Sequence, residues 1–327
     1  MAIGNLSLSD NPSLQDLLEV ESHFGLPSPA LVEKDWYVVK ALAAISTVGI
    51  TPFRLVFGGG TALSRVHRLI RRMSEDIDLK IVSDAEVSRP ALRDLRDAIT
   101  NSLLDAGLKF DPKDSANRES GNASRYTLYR LPYTAIAKGR DGLRPEIQIE
   151  TAVWPLRRPA VALPVTSFIA EAFRLPPEVA AIPCVSIVET VAEKFVALTR
   201  RAGAELADAG GPRDSTLVRH VYDLHVLRPH YDPADAAILA QMIMIADAKV
   251  YGHQFPAYRD DPVGETLRAV AGLGEDRRFA TAYAAFLRDM VYGAVPDFNA
   301  ALATVTALGA HLKQPHDRRV SSRTLLK

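Results

Sequence analysis

Three groups of residues in this sequence have types and spacing suited to phosphate chemistry. Gly58-Gly59-Gly60 follows the run Arg54-Leu55-Val56-Phe57. Glycines let a backbone approach a ligand closely and adopt positive φ. A helix starting there offers free N–H groups and partial positive charge, a seat for phosphate. There is no Gly-Lys-Ser/Thr and no dinucleotide fingerprint, so alone the glycines specify no more than a tight turn. Asp76 and Asp78 come next, in Asp-Ile-Asp-Leu-Lys-Ile-Val. Residues two apart on a strand share a face, so both carboxylates project together, with Ser74 just before them. Ile77 and Leu79 then point to the core. Two carboxylates about 5 Å apart repel by roughly 3 kcal/mol at an effective dielectric of about 20. A hard divalent cation such as Mg²⁺ offsets that, taking carboxylate oxygens together with substrate phosphates. An isolated Asp-x-Asp reads as solvated surface; behind a strand–glycine–helix unit it reads as a metal site. The third group is Glu146-Ile147-Gln148-Ile149-Glu150, whose alternation puts Glu146, Gln148 and Glu150 on one face. Either glutamate could complete the metal site, and Glu150 is preferred.

Holding these side chains takes a strand at 54–57, a helix over 61–71 and a half-buried strand over 76–82. Around them the pattern predicts helices at 12–24, with Asn11 as N-cap, at 29–48 and at 89–107. Alternation predicts strands at 124–134 and 144–151. The stretch 154–185 holds Pro155, Pro159, Pro164, Pro176, Pro177 and Pro183. It reads as a connecting region of short elements and a domain boundary. Beyond it come helices at 186–202, opened by a capping box of Ser186 and Glu189, and at 214–227, 233–249 and 275–293, with a polar loop at 203–213. The class is α+β, a mixed sheet followed by a mainly helical C-terminal half. Length agrees with two domains, placed at 1–160 and 161–327.

The order strand, glycines, helix, Asp-x-Asp, later acid resembles the DNA polymerase beta-type nucleotidyltransferase superfamily. More closely, the sequence resembles the AbiEii/MenT family of nucleotidyltransferase toxins. The residues that carry this are Gly59-Gly60-Thr61-Ala62-Leu63, Arg72-Met73-Ser74-Glu75-Asp76-Ile77-Asp78-Leu79, Glu193-Lys194-Phe195 with Leu198 and Arg200-Arg201, and Arg219 before Tyr222-Asp223-Leu224. Glu33-Lys34-Asp35-Trp36 is also familiar from such proteins, without an assigned role. The resemblance spans residues 30–230.

It implies a metal-dependent enzyme that moves a nucleotide from an NTP to an acceptor. By the resemblance, Gly59, Gly60 and Ser74 hold the triphosphate, and Asp76 and Asp78 coordinate Mg²⁺ or Mn²⁺. Lys194 contacts phosphate and Asp223 supports the site; these two come from the C-terminal domain. Arg72 is a candidate for phosphate or acceptor RNA. Characterised members act on the tRNA 3′ acceptor end and block translation, which implies tRNA as acceptor and a cognate antitoxin as partner. Two other readings keep the motifs: transfer to a protein side chain, or a non-catalytic nucleotide- or RNA-binding module.

Composition sets the outer bounds. The 327 residues carry 39 Lys and Arg against 39 Asp and Glu, so nothing in the total favours nucleic acid, though local patches bind where totals do not. Residues 51–80 and 313–327 are locally basic. The single Cys184 excludes a disulfide framework and a Cys-rich zinc site, and reads as buried filler. The eight histidines show no metal-ligand spacing. No apolar run reaches the ~18 residues of a membrane helix, and the start, MAIGNLSLSD, does not read as a secretory signal. A cytoplasmic location is the resulting expectation.

Overall fold

A computed structural model describes residues 11–139, 143–208 and 213–312. The basic tail at 313–327, the first ten residues, and Gly210 and Gly211 lie outside the described residues. The chain forms two compact units. The first comprises residues 1–190 and 284–295, the second residues 191–283 and 296–327.

The first unit begins with α1 (Leu14–Phe24) and α2 (Pro29–Ser46), then β1 (Phe53–Gly58), α3 (Gly59–Arg65), β2 (Asp76–Ser83) and α4 (Arg89–Asp105). It continues with β3 (Arg118–Gly121), β4 (Tyr126–Pro132), β5 (Glu146–Val153), β6 (Val161–Val165), α5 (Phe168–Ala172) and β7 (Val179–Cys184). Among the described residues these strands form one mixed sheet in the order β3-β4-β5-β2-β1-β7-β6. β2 pairs antiparallel with β1 and parallel with β5. The α+β class is as the pattern of elements implies.

One face of the sheet is core. Ile77, Leu79, Ile147, Ile149 and Tyr129 pack with Val39, Leu42 and Ile45 of α2 and Leu92, Leu95 and Ile99 of α4. Each such side chain contributes about 1.5–3 kcal/mol on burial. A slip of one residue would bury the acids and expose the isoleucines, so the apolar set fixes the register.

Several elements depart from the pattern. Ser13, not Asn11, caps α1, in a reciprocal box with Asp16. The helix after the glycines ends at Arg65 rather than Arg71. Val66 and His67 both bond the Ala62 carbonyl, and Arg68 takes φ 55°. The chain thereby reverses, and Arg72 forms a bridge with Val291. The Pro-rich stretch is not merely a connection. Its β6 and β7 extend the sheet, Phe168, Ile169 and Ala170 of α5 are buried, and the division between the units falls at Thr190.

The second unit is helical. It contains most of α6 (Ile187–Ala207), α7 (Val218–Leu227), α8 (Pro233–Tyr251), α9 (Pro256–Asp260), α10 (Pro262–Glu275), the start of α11 (Arg277–Met290) and α12 (Phe298–His311). The predicted loop at 203–213 is helical to Ala207, and the helix predicted over 275–293 is shorter, with α10 and α12 on either side. Among the described residues no helix is long and apolar enough to cross a membrane.

Candidate active site

The acids stand where the alternation puts them. Along β2, Asp76, Asp78 and Lys80 are half-buried while Ile77, Leu79 and Ile81 are buried; β5 alternates in the same sense, with Glu146, Gln148 and Glu150 on the open face. Asp78 pairs in register with Glu150, and Asp76 with Gln148. Neighbouring strands lie about 4.8 Å apart, so Asp76, Asp78 and Glu150 occupy adjacent places on one face. Burial and the charge of Asp76 together raise the Glu150 carboxyl above the usual carboxylate range.

The glycines pack directly against this group. Gly58 pairs with Asp78 across the β1–β2 ladder. Gly59 has φ 69°, and a Cβ on it would overlap the Asp78 carboxylate. A Cβ on Gly60 would come within 2.6 Å of both Arg72 Nη2 and Ser74 Oγ. No other residue type leaves these approaches open. The reversal after α3 is what carries Arg72 and Ser74 back over Gly60. It is held by Met73 N–H donating to the Met290 carbonyl at 2.8 Å and Tyr292 N–H to the Arg71 carbonyl at 3.0 Å. Gly59, Gly60, Arg72, Ser74, Asp76, Asp78 and Glu150, from four segments, are thus brought together within the first unit.

The Glu33-Lys34-Asp35 motif has a role that its sequence did not disclose. Consecutive residues of α2 each reach distant parts of the chain. Glu33 accepts the Ile136 and Ala137 N–H groups at 2.8 and 3.1 Å. Lys34, fully buried, donates to the Arg144 carbonyl at 2.7 Å and to the Glu146 carbonyl, and stands 4.0 Å from Glu75. Asp35 accepts the Phe168 N–H at 2.7 Å and pairs with Arg65 at 3.2 Å. Burial lowers the Lys34 ammonium to about 8 against the pull of Glu75. Burial raises the Asp35 carboxyl to about 6 against the pull of Arg65.

Arg144 is the residue that sequence reasoning missed. Its guanidinium donates to Glu75 at 3.0 Å and also to Gln148 Oε1 and Asp76 Oδ1. Burial works against its charge, but Asp76 and Glu75 outweigh that and hold it protonated. A signal existed: 144, 146, 148 and 150 share one strand parity. The acids offer hard oxygen donors, and Glu75 Oε1 behind them is buried without a partner. That donor set fits a divalent cation of the Mg²⁺ type. Among the described residues no three His, Cys, Asp or Glu groups already stand as a ligand set; Arg144 holds Asp76 instead.

Lys194 and Asp223 lie in the second unit. Lys194 Nζ on α6 is 2.8 Å from Asp223 Oδ2 on α7, and both side chains are buried. Phe195 and Leu198 of the same motif are core. Arg200 pairs with Asp247 at 2.7 Å, and Arg201 pairs with Asp214. The other polar candidates have structural partners. His67 Nε2 meets the Val185 carbonyl at 3.1 Å, and His225 Nδ1 meets Thr304 Oγ1 at 3.0 Å. Cys184 is buried, and burial raises its thiol to about 12. The Ser186 hydroxyl accepts the Glu189 N–H at 3.4 Å, but the Glu189 carboxylate turns instead to Lys80 and the backbone of Arg157 and Arg158.

The fold is similar to that of MenT4, a nucleotidyltransferase toxin from Mycobacterium tuberculosis, with a TM-score of 0.55 and 18% identity over 92% of this chain and 91% of that one. No curated protein sequence matches the chain. The family model described as nucleotidyl transferase AbiEii toxin, Type IV TA system, matches residues 41–304. That span takes in the glycine turn, the acid strands and the Lys194–Asp223 pair: the chain belongs to the AbiEii family of nucleotidyltransferase toxins of type IV toxin–antitoxin systems.

Proposed function

We propose that this toxin transfers a nucleotide from an NTP to the 3′ acceptor end of tRNA, with Mg²⁺ or Mn²⁺ as cofactor, and so blocks translation in the cytoplasm. The observation that carries the reading is the convergence of Asp76, Asp78 and Glu150 with the Gly59–Gly60 turn, Ser74 and Arg72. The tRNA acceptor rests on the family resemblance, and the family implies a cognate antitoxin that restrains the activity.

In this reading Gly59, Gly60, Ser74 and Arg72 seat the triphosphate. Asp76 and Asp78 hold the cation, with Glu150 as third acid. When bound, the cation supplies positive charge against the oxygens of the attacked α-phosphate and of the departing pyrophosphate. The resemblance assigns Lys194 to phosphate contact, as a compact point charge, and Asp223 to its support. The acceptor hydroxyl oxygen bonds the α-phosphorus as the bond to the β-phosphate oxygen breaks. Glu150, as the ionised third acid, takes the hydroxyl proton. The rest is positioning and charge stabilisation.

The test is incubation of the purified protein with each labelled NTP and total tRNA. Label in RNA, lost with a chelator and with Asp76→Ala, is the expected result. Label in protein with tRNA untouched would move the acceptor to a side chain. No label with any NTP would remove the transferase reading for RNA.

A further inference from the structure

We propose that Arg144 is the resident counter-cation of the acid face, and that a divalent cation binds there only by displacing its guanidinium from Asp76. The inference rests on the metal reading above and adds a residue to it. Three side-chain acceptors hold the guanidinium at once: Glu75 through Nε, Gln148 through Nη1 and Asp76 through Nη2. This fork is a geometry that Arg has and Lys lacks. Its contact on Asp76 occupies Oδ1, one of the two oxygens which that carboxylate could offer a cation.

The three contacts are unequal. Glu75 is buried, 4% exposed, whereas the Asp76 side chain is 27% exposed and that of Arg144 39%. The backbone of Arg144 is pinned by the buried Lys34, which donates to its carbonyl at 2.7 Å. A cation arriving at Asp76 therefore breaks the outer contact and leaves the inner one. The guanidinium then pivots about Glu75 and gives up Gln148 along with Asp76, which frees Nη1 and Nη2. So freed, it can bind two phosphate oxygens bidentately. A cation arriving with a triphosphate gives the displaced arginine a new partner, and a cation arriving alone does not. Arg144 thus couples the two binding events, as a positioning residue for the acids and as a contact for the substrate.

The experiment measures Mn²⁺ binding to the full chain, without nucleotide, by the loss of the free-ion paramagnetic signal. The proteins are wild type, Arg144→Gln, Arg144→Lys and Asp76→Asn, with melting curves to confirm folding. The Lys variant keeps a positive charge beside Glu75 and removes the fork. Both Arg144 variants should bind Mn²⁺ about tenfold more tightly than wild type, the scale of one charge-assisted hydrogen bond. Wild-type affinity in Arg144→Lys, with tightening only in Arg144→Gln, would mean a general charge effect and overturn the displacement. Unchanged affinity in both would overturn it as well. If Mn²⁺ binds and Asp76→Asn abolishes binding while the Arg144 variants match wild type, only the Arg144 inference fails. If none of the proteins binds Mn²⁺, the Arg144 inference fails, while the metal reading stands or falls on whether a chelator abolishes labelling in the transfer assay.

Discussion

Gly59 lies against Asp78 so closely that its Cα hydrogen occupies the one direction in which a side chain would strike the carboxylate. The contact cannot be relieved by sliding the strands, because Gly58 is locked in register with Asp78. Gly59 also has φ 69°, a conformation costly for other residues. Gly59→Ala should therefore destabilise the protein by about 1–3 kcal/mol, measured by urea unfolding, and displace Asp78. Nucleotide transfer should fall further than the folded fraction does. Gly60→Ala meets only the ends of Arg72 and Ser74, and should unfold closer to wild type.

Asp76→Asn keeps the shape of the side chain and removes its charge. Transfer should fall by at least about a hundredfold, the scale for losing one preorganised electrostatic group, with the melting temperature near that of wild type. The labelling assay with purified variant checks this. Near-normal turnover would take Asp76 out of the reaction.

Lys194 and Asp223 form a buried pair at 2.8 Å. Removing one partner leaves an uncompensated buried charge, so Lys194→Met should cost about 3–5 kcal/mol. The double variant Lys194→Met with Asp223→Asn should recover much of that stability and none of the activity. If the double variant regains transfer, the lysine is structural and the phosphate-contact role is wrong.

Lys34 sets a pH dependence. Its ammonium is lowered from 10.5 to about 8, chiefly by burial. Between those values the unfolded chain binds the proton and the folded one does not, so stability rises with pH across that window. The contribution is complete above pH 10.5, is lost as the pH falls through about 8, and amounts to about 3 kcal/mol. Nitrogen-15 NMR of the Lys34 side chain checks it directly, and titration at the ordinary lysine value would refute it.

The acid face was legible because period-2 alternation in Asp76–Ile81 and Glu146–Ile149 carries its own register, apolar to one side and charged to the other. The glycine turn was legible because no other residue tolerates that approach. The length of α3 was not: Leu63, Val66, Leu69 and Ile70 keep helical spacing, yet Leu69 and Ile70 pack from a reversed segment. The Pro-rich strands were also hidden, since Val161–Val165 and Val179–Cys184 are short and Pro164 and Pro183 suppress strand propensity. Nothing in the sequence around Glu33, Lys34 and Asp35 assigns these charged helix residues a role. Only tertiary contacts with residues about a hundred positions away show them buried.

The match to the family model begins at residue 41, downstream of that α2 triplet. A fragment cut there would strip Glu75 and the Arg144 and Glu146 carbonyls of their ammonium, and would orphan the amides of Ile136, Ala137 and Phe168. The stretch that the family model spans is therefore shorter than the stretch able to work. Any minimal toxin made from this gene has to start ahead of Ser28, the cap of that helix.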